Sequence, residues 1–244
     1  MYKIPNSTLI NIFLIFIFFS LSFQMAAQDS IPLNKYQLPV VSSIACYQFC
    51  ISQQPAGRLL DVKQKIKNIQ LDLRYATSNN FMHQALYEPL KTTYLTAAAL
   101  FKLDSVQQDL KPLGLGLKIF DAYRPYAVTE AMWELVKDDR YAADPRTGSG
   151  HNRGVAVDLT LINLKTGKEL AMGTDFDNFS DTAHHTFVDL PVTVLNNRQL
   201  LKTTMEKFGF KALSTEWWHY SLLNAKEFPI LNIAFAELKR FNRQ

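Results

Sequence analysis

The sequence predicts an α+β domain, an antiparallel sheet with helices packed against it. Period-two alternation over residues 66–73 and 115–119 marks strands, and apolar residues three and four apart between 93 and 110 mark a helix. The strands and helices do not follow the regular spacing of βαβ units, which argues against a parallel sheet. With 244 residues, 48% hydrophobic and 20% charged, the chain suits one domain with a substantial core. No internal repeat interrupts that reading.

The N-terminus is of another kind. Lys3 precedes an apolar run over 9–23 that gives way to the small residues around Ala26 and Ala27. A positive charge, an apolar stretch and a small-residue exit make residues 1–27 a predicted secretory signal peptide. A membrane anchor is the competing reading, although the run falls short of the ~18 apolar residues of a spanning helix. Either way the protein is expected to be exported, periplasmic or secreted, with no stable membrane span after signal cleavage. Residues 28–58 carry scattered Pro, Ser and Gln and read as an N-terminal arm or linker. The only two cysteines, Cys46 and Cys50, lie there. Four residues apart, they cannot bridge in an extended strand, but a loop or helical turn permits pairing and unpaired thiols are the alternative.

The domain proper is expected over 59–244. Ile69, Leu71 and Leu73 alternate with Gln70 and Asp72 in the first strand, with Arg74 at its end. Leu95, Ala99, Leu103, Val106 and Leu110 share one helical face, closed by Pro112 and Gly114. Leu115, Leu117 and Ile119 alternate in a second strand that exits through Asp121 and Arg124. Pro125 then serves as a first helical residue, with Val128, Met132, Leu135 and Val136 as the apolar stripe. A turn-rich loop, DPRTGSGHNRG, runs into the β-branched VAVDLTLIN. Leu201, Met205 and Phe208 mark a short helix stopped by Gly209, and the last aromatic-rich segment, ending in EWWHYSLL, reads as a strand near its end.

Net charge is only +4, with basic residues scattered rather than clustered, so nucleic acid is excluded as a partner. Among five histidines, two keep unusual company. His151 precedes Asp158 in SGHNRGVAVD, and His219 follows Glu216 in EWWHY. Two imidazoles and a carboxylate are the protein ligands a catalytic zinc takes, leaving one position open. Positions 151 and 158 would face opposite sides of a straight strand, so the chain must bend between them, and Gly154 suits the bend. Glu216 adds a carboxylate able to carry the proton that water gives up and the leaving amine needs. Its spacing to His219 requires a helical turn or a bulge. No H-E-x-x-H helix is present. Each residue alone is weak evidence, since buried histidines, strand-edge aspartates and tryptophans usually serve structure.

Together, DLRYATSNNF from Asp72, DAYRP from Asp121, SGHNRGVAVDLTL from Ser149 and EWWHY from Glu216 make the chain resemble the D-alanyl-D-alanine dipeptidases, over about 59–223. The resemblance implies a hedgehog/D,D-peptidase-like fold and one zinc per chain on His151, Asp158 and His219. It implies Glu216 as general base and then acid, and Arg74 as the group that stabilises the oxyanion. The implied activity is zinc-dependent hydrolysis of the dipeptide D-Ala-D-Ala. Two rivals are a peptidoglycan D,D-carboxypeptidase and a non-catalytic zinc-stabilised binding module. Arg124 has three readings: holding a substrate carboxylate, bracing the site through Asp121, or forming a structural ion pair. Ser149 orients His151, touches substrate or forms the turn. Asp175 and Asp177 lie in a polar loop, MGTDFDNFSD, with two readings, contact with a substrate ammonium or, favoured, a solvated loop; His184 and His185 read as loop groups rather than ligands.

Overall fold

The computed structural model describes residues 31–243; the expected signal peptide, 1–27, lies outside them. The central sheet has the order β3-β5-β6-β8-β7, formed by β3 (Gln70–Leu71), β5 (Leu115–Asp121), β6 (Ala156–Asn163), β7 (Phe210–Ala212) and β8 (His219–Leu222). Three of its four pairings are antiparallel, and only the short β3 runs parallel to β5. The expected α+β class is the observed one. Strand β3 is shorter than its alternation suggested, because Ile66 closes a one-turn helix, Val62–Lys65, and Arg74–Ala76 winds into a 3-10 turn. Two small sheets flank the main one: β1 (Val40–Val41) pairs with β9 (Ile230–Leu231), and β2 (Leu59–Asp61) with β4 (Tyr94–Thr96).

The two long helices pack on one face. They are α3 (Ala97–Leu110), after α1 (Ile44–Gln53) and α2 (Val62–Lys65), and α5 (Val192–Lys207), after α4 (Tyr126–Val136). Thr96 caps α3 by accepting from Ala99 N, and Gly114 at φ +71° turns the chain out into β5. Leu103, Val106 and Leu110 of α3 join Leu201 and Met205 of α5 in the core with Val157, Leu159 and Leu161 of β6. Alternation along β6 then sends Asp158 to the other face. Helix α5 is sixteen residues long rather than short. The polar run from Asn196 to Gln199 interrupts the apolar spacing, which therefore showed only its last turns. Helix α4 buries Tyr126, Thr129 and Met132, whereas Leu135, expected in its stripe, is exposed in the last turn.

The segment expected as an arm carries α1, capped by Ser43. Tyr47 of α1 is buried, and its hydroxyl accepts from Leu59 N at 2.6 Å. Cys46 and Cys50 lie on this helix and are free; burial pushes the Cys50 thiol up to about 11.

Two irregularities aim side chains at the site. The β5–β6 register pairs Ile119 with Leu159 and then Asp121 with Asp158, so one extra residue, Phe120, bulges out and brings Asp121 opposite Asp158. Asp158 in turn pairs with His219 of β8. The bend before β6 falls at Gly154, with φ +65° and its N–H donating to His151 O at 3.0 Å. A Cβ there would collide with Leu59 Cδ2. Gly154→Ala therefore adds left-handed strain to overpacking and should cost about 2–4 kcal/mol, read as a lower urea midpoint at unchanged slope.

Candidate metal centre

His151 is buried, and its Nδ1 donates to Ala122 O at 2.7 Å, which fixes the tautomer and leaves Nε2 as a bare electron pair. That pair points at His219 Nδ1, 3.2 Å away, and at Asp158 Oδ2, 3.3 Å away. His219 Nδ1 is 3.0 Å from Asp158 Oδ1. Donors around a tetrahedral ion with ligand bonds of ~2.0–2.1 Å stand roughly 3.3 Å apart; Asp158 offers Oδ2 toward His151 and Oδ1 toward His219, and one ligand atom from each of the three residues lies within 4.8 Å of the others. Two nitrogens and a carboxylate oxygen are also the donor set zinc prefers. No other such group of His, Cys, Asp or Glu occurs among the described residues. Burial lowers the pKa of His219, which keeps it neutral as a ligand must be. Burial also pushes Asp158 up, but the imidazoles of His151 and His219 more than offset it and hold the carboxyl well below its usual range.

The loop that delivers His151 is tied down by its own residues. Asn152, fully buried, donates through Nδ2 to Arg124 O and Thr129 Oγ1 and accepts from Ser149 N. Ser149 Oγ accepts from His151 N at 3.1 Å, so Ser149 orients the ligand loop. Asn152 escaped the sequence reading because an asparagine in a turn-rich stretch looks like turn chemistry.

Glu216 and His219 are joined by a tight turn, in which His219 N donates to Glu216 O at 3.3 Å, ahead of β8. This turn, neither helix nor bulge, sets Glu216 Oε2 3.9 Å from His219 Nδ1. Burial, and then the charges of Asp158 and Asp177, push the Glu216 carboxyl well above its usual range. Glu216 lines a cavity of about 230 Å³ together with the three ligands, Arg124 and Asp177.

Arg124 is buried, binds Asp121 through Nε (2.9 Å) and Nη2 (2.8 Å), and reaches within 3.8 Å of Asp158 Oδ2. Its guanidinium also covers the Tyr75 ring at 5.0 Å. Asp121 accepts from Tyr87 as well, at 3.0 Å. Arg124 is thus the buried guanidinium of this cavity, whose lining also includes the exposed Arg140. Arg74, expected in that position, is not: its Nε donates to Asp72 at 2.8 Å, and its plane lies over Phe120. It lines a separate cavity of about 640 Å³ with Phe176 and Trp217. The 3-10 turn sends Arg74 one way and its neighbour Tyr75 the other, a distinction that a strand end in sequence does not carry.

Asp177 is a second correction, for it is not a solvated loop residue. It lines the metal cavity at φ +60°, accepts from Tyr75 Oη at 2.9 Å through Oδ1, and has Oδ2 enclosed without a partner. Burial lifts its carboxyl to about 7. Asp175 faces the other cavity. His184 and His185 are not ligands: His185 packs on the Tyr220 ring, and burial lowers its pKa to about 4.

A family profile described as D-ala-D-ala dipeptidase matches residues 56–239. The chain belongs to the D-ala-D-ala dipeptidase family. Among its relatives, the D-alanyl-D-alanine dipeptidase of Escherichia coli is 34% identical over 180 residues, covering 73% of this chain and 91% of that one. Those of Enterococcus faecalis and Streptomyces coelicolor are 31% and 33% identical over 185 residues, covering 68% of this chain in each case and 91% and 92% of theirs. The family match spans every residue of the metal cavity. His219→Ala leaves only two protein ligands, so metal analysis after dialysis should find less than about a tenth of the wild-type zinc, whereas His184→Ala should retain it.

Proposed function

We propose that this chain is an exported zinc dipeptidase that hydrolyses D-Ala-D-Ala, with one zinc per chain. The observation that carries the reading is the convergence of three ligand atoms beside a buried carboxylate and a buried guanidinium in one small cavity. At about 230 Å³ the space is smaller than the ~300–1,000 Å³ of ordinary ligand pockets, which favours a free dipeptide over a longer peptidoglycan stem. Phe81 and Tyr141 bound it, and Phe179 bridges them, stacked on Tyr141 at 4.8 Å and tilted to Phe81 at 5.1 Å. A purely structural metal would need neither Glu216 nor Arg124 in the same space. Export rests on residues 1–27; among the described residues, no helix is long and apolar enough to cross a membrane.

Held by His151, Asp158 and His219, zinc would supply Lewis acidity and a water of lowered pKa. Glu216 takes the proton of the attacking water and delivers it to the leaving amine, a task suited to a carboxyl whose proton affinity is raised by burial. Arg124 faces the negative charge that develops on the carbonyl oxygen and is held for that purpose by Asp121. Asp177, with an unpaired oxygen and Tyr75 beside it, meets the substrate ammonium. The groups proposed for the oxyanion and for the ammonium lie in one cavity.

Glu216→Gln should keep its zinc while turnover falls by about 10²-fold or more, measured with ninhydrin on D-Ala-D-Ala; wild-type kcat in this variant would remove Glu216 from proton transfer. Arg124→Lys keeps the charge but loses the planar fork, and kcat should fall at least about tenfold, while Arg74→Ala stays within about threefold. Because the Asp177 carboxyl is raised to about 7, its charged form is present above that pH and lost below it. KM should therefore climb as pH drops from 8 to 6, and Asp177→Asn should show a high KM that no longer varies over that range.

A further inference from the structure

Arg198 of α5 is buried to 5% exposure, yet no carboxylate among the described residues pairs with it. A guanidinium taken out of water without a counter-charge is costly unless its donors are otherwise engaged. Its partners are backbone carbonyls. Nε donates to Met172 O at 2.6 Å, and Nη1 to Thr182 O at 3.0 Å and His184 O at 3.3 Å. Those carbonyls sit at the two ends of one irregular loop, 172–184, with Asp177 midway along it.

The loop lies tight on the helix. Gly173, at φ +87°, would place a Cβ 3.3 Å from Arg198 Nη2 and 3.0 Å from Val194 Cγ1. Asn197 donates to Ala171 O at 2.9 Å, adding a second tether at the same end. In its middle the loop is pinned by Phe176, which packs on Phe120 at 4.9 Å and on Trp218 at 5.5 Å. Asp177 itself has reasons to leave: a positive φ in a non-glycine residue and a carboxylate oxygen with no partner. Something must hold both loop ends for that geometry to persist.

We infer that Arg198 is a positioning residue for the ammonium end of the substrate site, clamping both ends of loop 172–184 so that Asp177 stays in the cavity. The inference rests on the reading of Asp177 as the ammonium partner. Arg198 touches neither substrate nor ligands, and it acts through the loop. Its effect should therefore appear in KM for a substrate with an ammonium group and be absent for one without.

The test compares the zinc-loaded enzyme and its Arg198→Met variant by KM for D-Ala-D-Ala and by Ki of N-propionyl-D-alanine, the analogue lacking the amino group. Arg198→Met should raise KM about tenfold with kcat within about threefold and leave Ki and zinc content unchanged. In an Asp177→Asn background it should add nothing further to KM, because both changes remove the same interaction. Equal losses for both ligands, an unchanged KM, or additive effects with Asp177→Asn would overturn the inference. If Arg198→Met does not fold, Arg198→Lys carries the test, expected to raise KM about threefold with the same selectivity; an unselective loss overturns it. Should Asp177→Asn alone leave KM unchanged, the ammonium reading fails first, which separates the two failures.

Discussion

A carboxylate and two imidazoles meet with ligand atoms within 4.8 Å of one another in a largely buried place, and much of the surrounding structure is needed to keep them there. Asp121, Asp158 and His219 form one row across β5, β6 and β8, set by strand register and one bulge. His151 enters from outside the sheet, with its ring held by Ala122 O and its loop by Asn152. Since a sheet is stiff and a register slip would turn each side chain to the other face, the ligand geometry is inherited from the backbone.

Charge balance is the second constraint. Asp121, Asp158, Asp177 and Glu216 are gathered around one buried guanidinium, Arg124. Burial and mutual repulsion raise Glu216 and Asp177 far from their ordinary acidity, and Asp158 alone is held low by the imidazoles beside it. The proposed divalent cation and substrate ammonium would bring positive charge to this acidic cavity.

Arginine assignment shows where motif reading reaches its limit. Both Arg74 and Arg124 follow a strand and an acidic residue, and both belong to segments that resemble the family. Only Arg124 turns into the metal cavity, because the bulge at Phe120 and the Asp121 carboxylate aim it there. Arg74 is drawn off by Asp72 and the Phe120 ring. Asp177 was misjudged for the opposite reason: a polar loop looks solvated in sequence, whereas Phe176 and the carbonyls gripped by Arg198 bring this one inside.

Legible in the residues alone were the class of the fold, the main strands and the helix over Ala97–Leu110, the bend at Gly154, and the grouping of His151, Asp158 and His219 that the structure brings together. These are legible because period, turn chemistry and donor type are local properties of the chain. The structure decided the parallel entry of β3, the length of α5, the turn between Glu216 and His219, and which arginine and which aspartate share the cavity. Those depend on register, on a one-residue bulge and on contacts between segments up to a hundred positions apart, none of which leaves a periodic trace in the residues concerned.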